Sequence, residues 1–133
     1  MAQTDSSRPN ILYVFSDQQR ASAMGCYYGD EQLRTPQFDG LASEGMRLDA
    51  AVSSTPVCSP YRAILLTGRY GWQNLVIDNE YRPRKDIPTL PASLRQHGYG
   101  TAHVGTFHLG KGPYPEEDRY ELDYLAALHG GGG

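Results

Sequence analysis

The chain has no long apolar run, no basic block and no clustered cysteines, and each lack removes a class of function. Its longest apolar stretches, such as Ile11 to Phe15 and Ala63 to Leu66, fall far short of the roughly 20 residues that cross a bilayer as a helix. No membrane span is expected. Its 12 Lys and Arg and 15 Asp and Glu are dispersed, for a net charge of -3, so no surface is expected to neutralise a run of phosphates, and nucleic acid is not an expected partner. The N-terminal residues Met1 to Pro9 have neither the basic start nor the apolar segment of a secretory signal, which predicts a cytoplasmic location. The two cysteines, Cys26 and Cys58, stand far apart and outside any CxxC spacing. Neither a disulfide framework nor a structural zinc site is signalled, and each thiol has to be read by itself.

What is present suits a single globular domain: 133 residues, 39% hydrophobic and 20% charged, with no internal repeat. The chain divides into a polar leader at residues 1–8, a folded region at 9–129, and a glycine tail at 130–133 that reads as a linker or a truncation point. The run 10–16 is rich in strand formers and almost continuously apolar, as in a strand buried on both faces. Thr35 and Pro36 open a predicted helix that Gly45 closes, and 46–52 reads as a second strand. Ser59 and Pro60 open another helix, stopped by Gly68, with Cys58 just ahead of its first turn. Residues 70–86 show no period and read as an irregular loop. Thr89 caps a third helix ended by Gly98, and 99–104 reads as a third strand.

Strands alternating with helices at this spacing predict an α/β fold with a parallel sheet, its chemistry gathered at the carboxyl ends of the strands. Asp17, Cys58 and His108 fall at or close to such ends. Gly105 to Lys111 imitates a phosphate-binding loop, but Gly112 stands where that loop needs Ser or Thr for magnesium, so no nucleotide site is expected. His97 and His103 read as helix-end and strand residues without ligand spacing.

The strongest signal is Cys58-Ser-Pro-Tyr-Arg62, followed by Ala-Ile-Leu-Leu-Thr-Gly68-Arg69. Taken singly, these residues keep ordinary readings: Cys58 a buried thiol, Arg62 a solvated helix arginine, Asp17 a turn cap. Taken together, the segment resembles the signature of the sulfatase family, CxPxR with a trailing apolar run and Thr-Gly. The resemblance runs from Arg8 to about Gly110, the front of an enzyme several times longer. It implies an alkaline-phosphatase-like α/β fold, here as its N-terminal portion, and hydrolysis of small-molecule or glycan sulfate esters. It also implies that a formylglycine-generating enzyme oxidises Cys58 to formylglycine. The hydrated aldehyde would supply the hydroxyl that attacks sulfur. Asp17, after the first strand, matches a ligand of the family's calcium ion, which the formylglycine made from Cys58 would share; Gln18 stands where many members carry a second aspartate. Arg62, four residues after Cys58, would lie one helical turn along and bring a fixed positive charge beside the nucleophile.

The segment Thr101 to Gly110 resembles the family's strand ending in Gly-Lys-Trp-His-Leu-Gly. His108 matches its substrate-contacting histidine, while Thr106 stands in the lysine position and cannot act as a charge clamp on sulfate. Lys111 is close in sequence. Tyr61 is bulkier than the small residue usual between proline and arginine. Two other functions stay open: a phosphonate or phosphodiester hydrolase with the same nucleophile and metal, and a truncated, non-catalytic fragment. One carboxylate and a formylglycine do not supply the roughly 6 to 8 oxygens that calcium takes, so the isolated chain is expected to be inactive.

Overall fold

The computed structural model describes residues 8–28, 33–115 and 119–128. Residues 1–7 of the polar leader, residue 129 and the glycine tail lie outside the described residues. The chain forms two compact units, one ending at Ala51 and the other beginning at Val52.

The first unit holds a 3-10 turn at Ala21–Ala23 and two helices, α1 (Gly25–Tyr28) and α2 (Pro36–Glu44). Pro36 sits in the first turn of α2, where its missing N–H costs nothing. Thr35 occupies the cap position, yet its hydroxyl does not cap α2. It donates to Asp39 Oδ1 (3.0 Å) and accepts the Gly25 N–H (2.9 Å), and Asp39 Oδ1 also accepts the Cys26 N–H (2.7 Å). The Thr35–Asp39 pair thereby laces the start of α1 to α2. The two strands expected at 10–16 and 46–52 are not formed. An apolar run becomes a strand only when a neighbour completes its ladder, and no strand of the described residues pairs with either run. Leu12 is 88% exposed and Met46 86%.

The second unit contains α3 (Cys58–Thr67), the single turn α4 (Gly71–Asn74), α5 (Leu90–Gln96), β1 (Ala102–Thr106) and β2 (Tyr124–Leu128). The strands pair in parallel, from Ala102 opposite Tyr124 to Thr106 opposite Leu128. This is the expected α/β character, with two differences in the strands: β1 begins three residues later than predicted, and its partner β2 was not predicted at all. Gly98 takes a left-handed φ of 79°, its N–H bonds the Arg95 carbonyl, and the Tyr99 N–H reaches the Leu94 carbonyl. That pattern closes α5 with residues that pattern reading assigned to the strand. Asp123 then fixes the strand start through the Thr101 N–H (2.8 Å) and hydroxyl (3.1 Å).

Thr89 caps α5 as predicted, accepting the Ala92 N–H at 3.2 Å. Gly68 stops α3 with φ 63°, its N–H bonded to the Ile64 carbonyl at 2.8 Å. The loop read as irregular holds α4, whose Asn74 is fully buried. Asn74 donates to the Arg69 carbonyl (2.9 Å) and accepts the Val76 N–H (2.9 Å). The core is Ala63 of α3 and Val76 beyond α4, packed with Phe107, Leu109 and Tyr120. Burying these side chains anchors the segment after β1 against the face of α3, which is what fixes the site. Among the described residues no helix is long and apolar enough to cross a membrane.

Candidate active site

Cys58 is the first helical residue of α3, one position further in than its sequence suggested, and it is half-buried. The residue before it, Val57, has no side-chain acceptor to cap the helix. The Ser59 N–H instead bonds Asn79 Oδ1 at 2.9 Å. Pro60 has no N–H, so the first two amides of the helix, those of Cys58 and Ser59, are the ones without an intrahelical partner. Ser59 and Pro60 are fully buried. The Ser59 hydroxyl donates to the His108 carbonyl at 2.6 Å, tying the start of α3 to the turn after β1.

Arg62 lies one turn along from Cys58, on the same side of α3. It is 8% exposed, and its Nη1 donates to the Thr106 carbonyl at the end of β1. The His103 ring reaches the same carbonyl, Nε2 at 3.3 Å, and meets Phe107 edge-on at 5.1 Å. Burial holds the imidazole below its ordinary pKa; the contact with the Thr106 carbonyl works against this, and the Arg62 charge reinforces it. His103 is therefore a neutral ring beside a buried cation, although in sequence it looked like an ordinary strand residue.

His108 follows Phe107 with φ 42°, between the buried side chains of Phe107 and Leu109. A non-glycine residue in this left-handed region persists only where its surroundings fix it, and here the Ser59 bond and the two flanking anchors do so. Thr106, in the position of the family lysine, offers a hydroxyl and no charge. Lys111 does not fill that role. Its Nζ pairs with Glu80 Oε2, and its backbone carbonyl is held by Arg82, which also donates to the Pro113 carbonyl at 3.2 Å.

Cys58, Arg62 and His108 are thus brought together in one unit through contacts of Ser59 and Thr106. Asp17 belongs to the first unit, exposed at a bend beside Gln18, whose φ is 54°. Among the described residues no group of three or more His, Cys, Asp or Glu is placed to hold a metal ion. A single Asp17 carboxylate does not make the shell of roughly 6 to 8 oxygens that calcium takes, so the described residues do not by themselves fit that ion. Cys26 lies in α1, its amide bonded to Asp39. Sequence reading missed Asn79 and the linking role of Ser59. The available signal was Val57, an apolar residue at a helix start that requires a cap from elsewhere.

The chain matches the family model described as Sulfatase over residues 9–128. It is 39% identical over 131 residues to the ulvan-active sulfatase of Formosa agariphila, covering 95% of this chain and 25% of that protein. It is 37% identical over 105 residues to the N-acetylglucosamine-6-O-sulfatase of Bacteroides thetaiotaomicron, covering 79% and 19%. The chain spans about a quarter or less of the length of these curated relatives. A structure from Bacteroides fragilis, described as that of a candidate sulfatase, superposes with a TM-score of 0.83 at 28% identity, covering 92% of this chain and 32% of that one. A protein solved in complex with its substrate D-glucosamine-2-N,6-O-disulfate gives 0.78 at 35% identity, covering 89% and 22%. The chain belongs to the sulfatase family and carries the N-terminal portion of its alkaline-phosphatase-like fold.

Proposed function

We propose that the protein to which this chain belongs hydrolyses sulfate esters, with a nucleophile derived from Cys58. The observation that carries this reading is the opening of α3. Cys58 is its first residue, Arg62 stands buried one turn along, and the His108 turn is bonded to Ser59. Once oxidised to formylglycine by a formylglycine-generating enzyme and hydrated, residue 58 would present the attacking hydroxyl. Arg62 would supply a positive charge that does not have to reorganise, because it is buried and its Nη1 is held by the Thr106 carbonyl. A preoriented charge of this kind stabilises the negative charge that builds on sulfate in the transition state. His108, whose backbone is tied to Ser59, would hydrogen-bond the sulfate or the leaving oxygen.

Several of the relatives act on sulfated saccharides, by their names, which favours a glycan sulfate ester over a phosphonate or phosphodiester. Asp17 and the formylglycine made from Cys58 are the two residues of this chain proposed as ligands of a divalent cation, calcium by their hard oxygen donors. The isolated chain is expected to leave a chromogenic aryl sulfate unhydrolysed, and measurable turnover would refute that expectation. A second reading, a non-catalytic relative, is favoured by Thr106 in the lysine position and by Lys111 being paired with Glu80. The deciding measurement is the mass of the Cys58 peptide after co-expression with a formylglycine-generating enzyme. Conversion to the aldehyde supports the sulfatase reading, and an unmodified thiol supports the second.

A further inference from the structure

The start of α3 has a capping problem that its own sequence does not solve. Side-chain acceptors at a helix start ordinarily come from the cap residue itself, and Val57 has none to give. The acceptor arrives from a loop twenty residues away, as Asn79 Oδ1 at 2.9 Å from the Ser59 nitrogen. The loop is itself fixed: Asp78 Oδ1 accepts the Glu80 N–H at 2.8 Å, which turns the backbone around Asn79. Ser59 then passes the constraint on through its hydroxyl, which donates at 2.6 Å to the His108 carbonyl, forty-nine residues further along the chain. The Asn79 carbonyl lies 3.5 Å from the same hydroxyl. One fully buried serine therefore joins the loop at 79, the residue that opens α3 and the turn at 108.

We propose that Asn79 and Ser59 are positioning residues that set the register of Cys58 against His108. Asn79 fixes the first turn of α3, and Ser59 fixes the His108 turn to it. The inference deepens the reading of Cys58 as a nucleophile and rests on it for its catalytic meaning; the geometry itself does not depend on that reading.

The test uses Cys26 as an internal reference, since it lies in the other unit and has no contact with Asn79 among those described. The rate of alkylation of Cys58 relative to Cys26 is measured in the 133-residue chain, together with hydrogen exchange at the residue 59 amide. In Asn79→Ala, the amide of Ser59 loses its acceptor. Its exchange should accelerate roughly fivefold, in line with the loss of one hydrogen bond, and the Cys58 to Cys26 alkylation ratio should shift severalfold. Asn79→Asp keeps an acceptor oxygen and should restore both readings. Ser59→Ala keeps the amide bond to Asn79 but frees the His108 carbonyl, so the resonances of His108 and Leu109 should move while protection at residue 59 persists. The β1–β2 amides should exchange as in the parent chain throughout. An unchanged ratio in Asn79→Ala would overturn the proposal, and so would a uniform rise in exchange across the unit that Asn79→Asp does not rescue. If the ratio shifts as expected but Cys58 is not converted to the aldehyde, the positioning stands and the catalytic reading alone fails.

Discussion

Phe107 is one of the two buried side chains that flank His108, and replacing it with alanine gives a quantitative test. It is 3% exposed and contacts three rings: Tyr114 edge-on at 5.0 Å, His103 at 5.1 Å and Tyr120 at 6.2 Å. Removing a buried phenylalanine costs about 3–5 kcal/mol, transfer and cavity together. Small domains hold only about 5–15 kcal/mol in total, so Phe107→Ala should take a large share of the stability. Urea unfolding followed by far-ultraviolet circular dichroism reads this out. With a slope of about 2 kcal/mol per M, the midpoint should fall by roughly 2 M. Phe107→Leu leaves a smaller cavity and should fall between the two. A midpoint change under about 0.5 M for Phe107→Ala at unchanged slope, or equal losses for the leucine and alanine variants, would refute the claim that this ring anchors the unit by packing.

His103 provides a pH test. Its folded pKa lies below the ordinary 6.5 because burial disfavours the charged ring, so the unfolded chain takes up the proton first. Its contribution is complete above 6.5 and is lost as pH falls from 6.5 through the lower folded value, then levels off. His103→Gln should flatten that part of the stability profile, and identical profiles for the two chains would contradict the assignment. Gly110 has φ 79°, and an added Cβ would lie 2.5 Å from Arg82 Cγ and 3.1 Å from the Tyr81 carbonyl oxygen. Gly110→Ala should therefore cost at least about 1–2 kcal/mol from the backbone alone, visible as a lower thermal midpoint, and a midpoint matching the parent would count against this turn.

The part of the site legible in the sequence is the part that is local. Cys58 and Arg62 share a helix face because they are four residues apart, and Gly68 and Thr89 mark a helix end and a helix start by their own conformational preferences. The Asn79–Ser59–His108 linkage was not legible, because it joins three distant segments and no spacing rule encodes it. The start of β1 was missed for the opposite reason. Tyr99 has the composition of a strand residue, yet its N–H completes the cap of α5. The runs 10–16 and 46–52 show how far an apolar pattern reaches: it states a preference for a strand, and a partner is still required to make one. Thr106 was read correctly as an uncharged residue, but the consequence could be seen only in space, where its carbonyl becomes the seat of Arg62.

The glycine that ends α3 carries an implication for chemical synthesis. Gly68 has φ 63° and ψ 18°, and nothing lies within 4 Å of the position an L-Cβ would take. Space is therefore not what keeps a side chain out of this position; chirality is. A mirror-image residue prefers this region of backbone space as strongly as natural residues avoid it. A chain assembled by ligation with D-alanine at 68 should keep the cap and lose only unfolded-state freedom, a gain of about 0.4–1 kcal/mol. The helix that presents Cys58 would then keep its end, with the gain coming from the unfolded chain and not from any new contact.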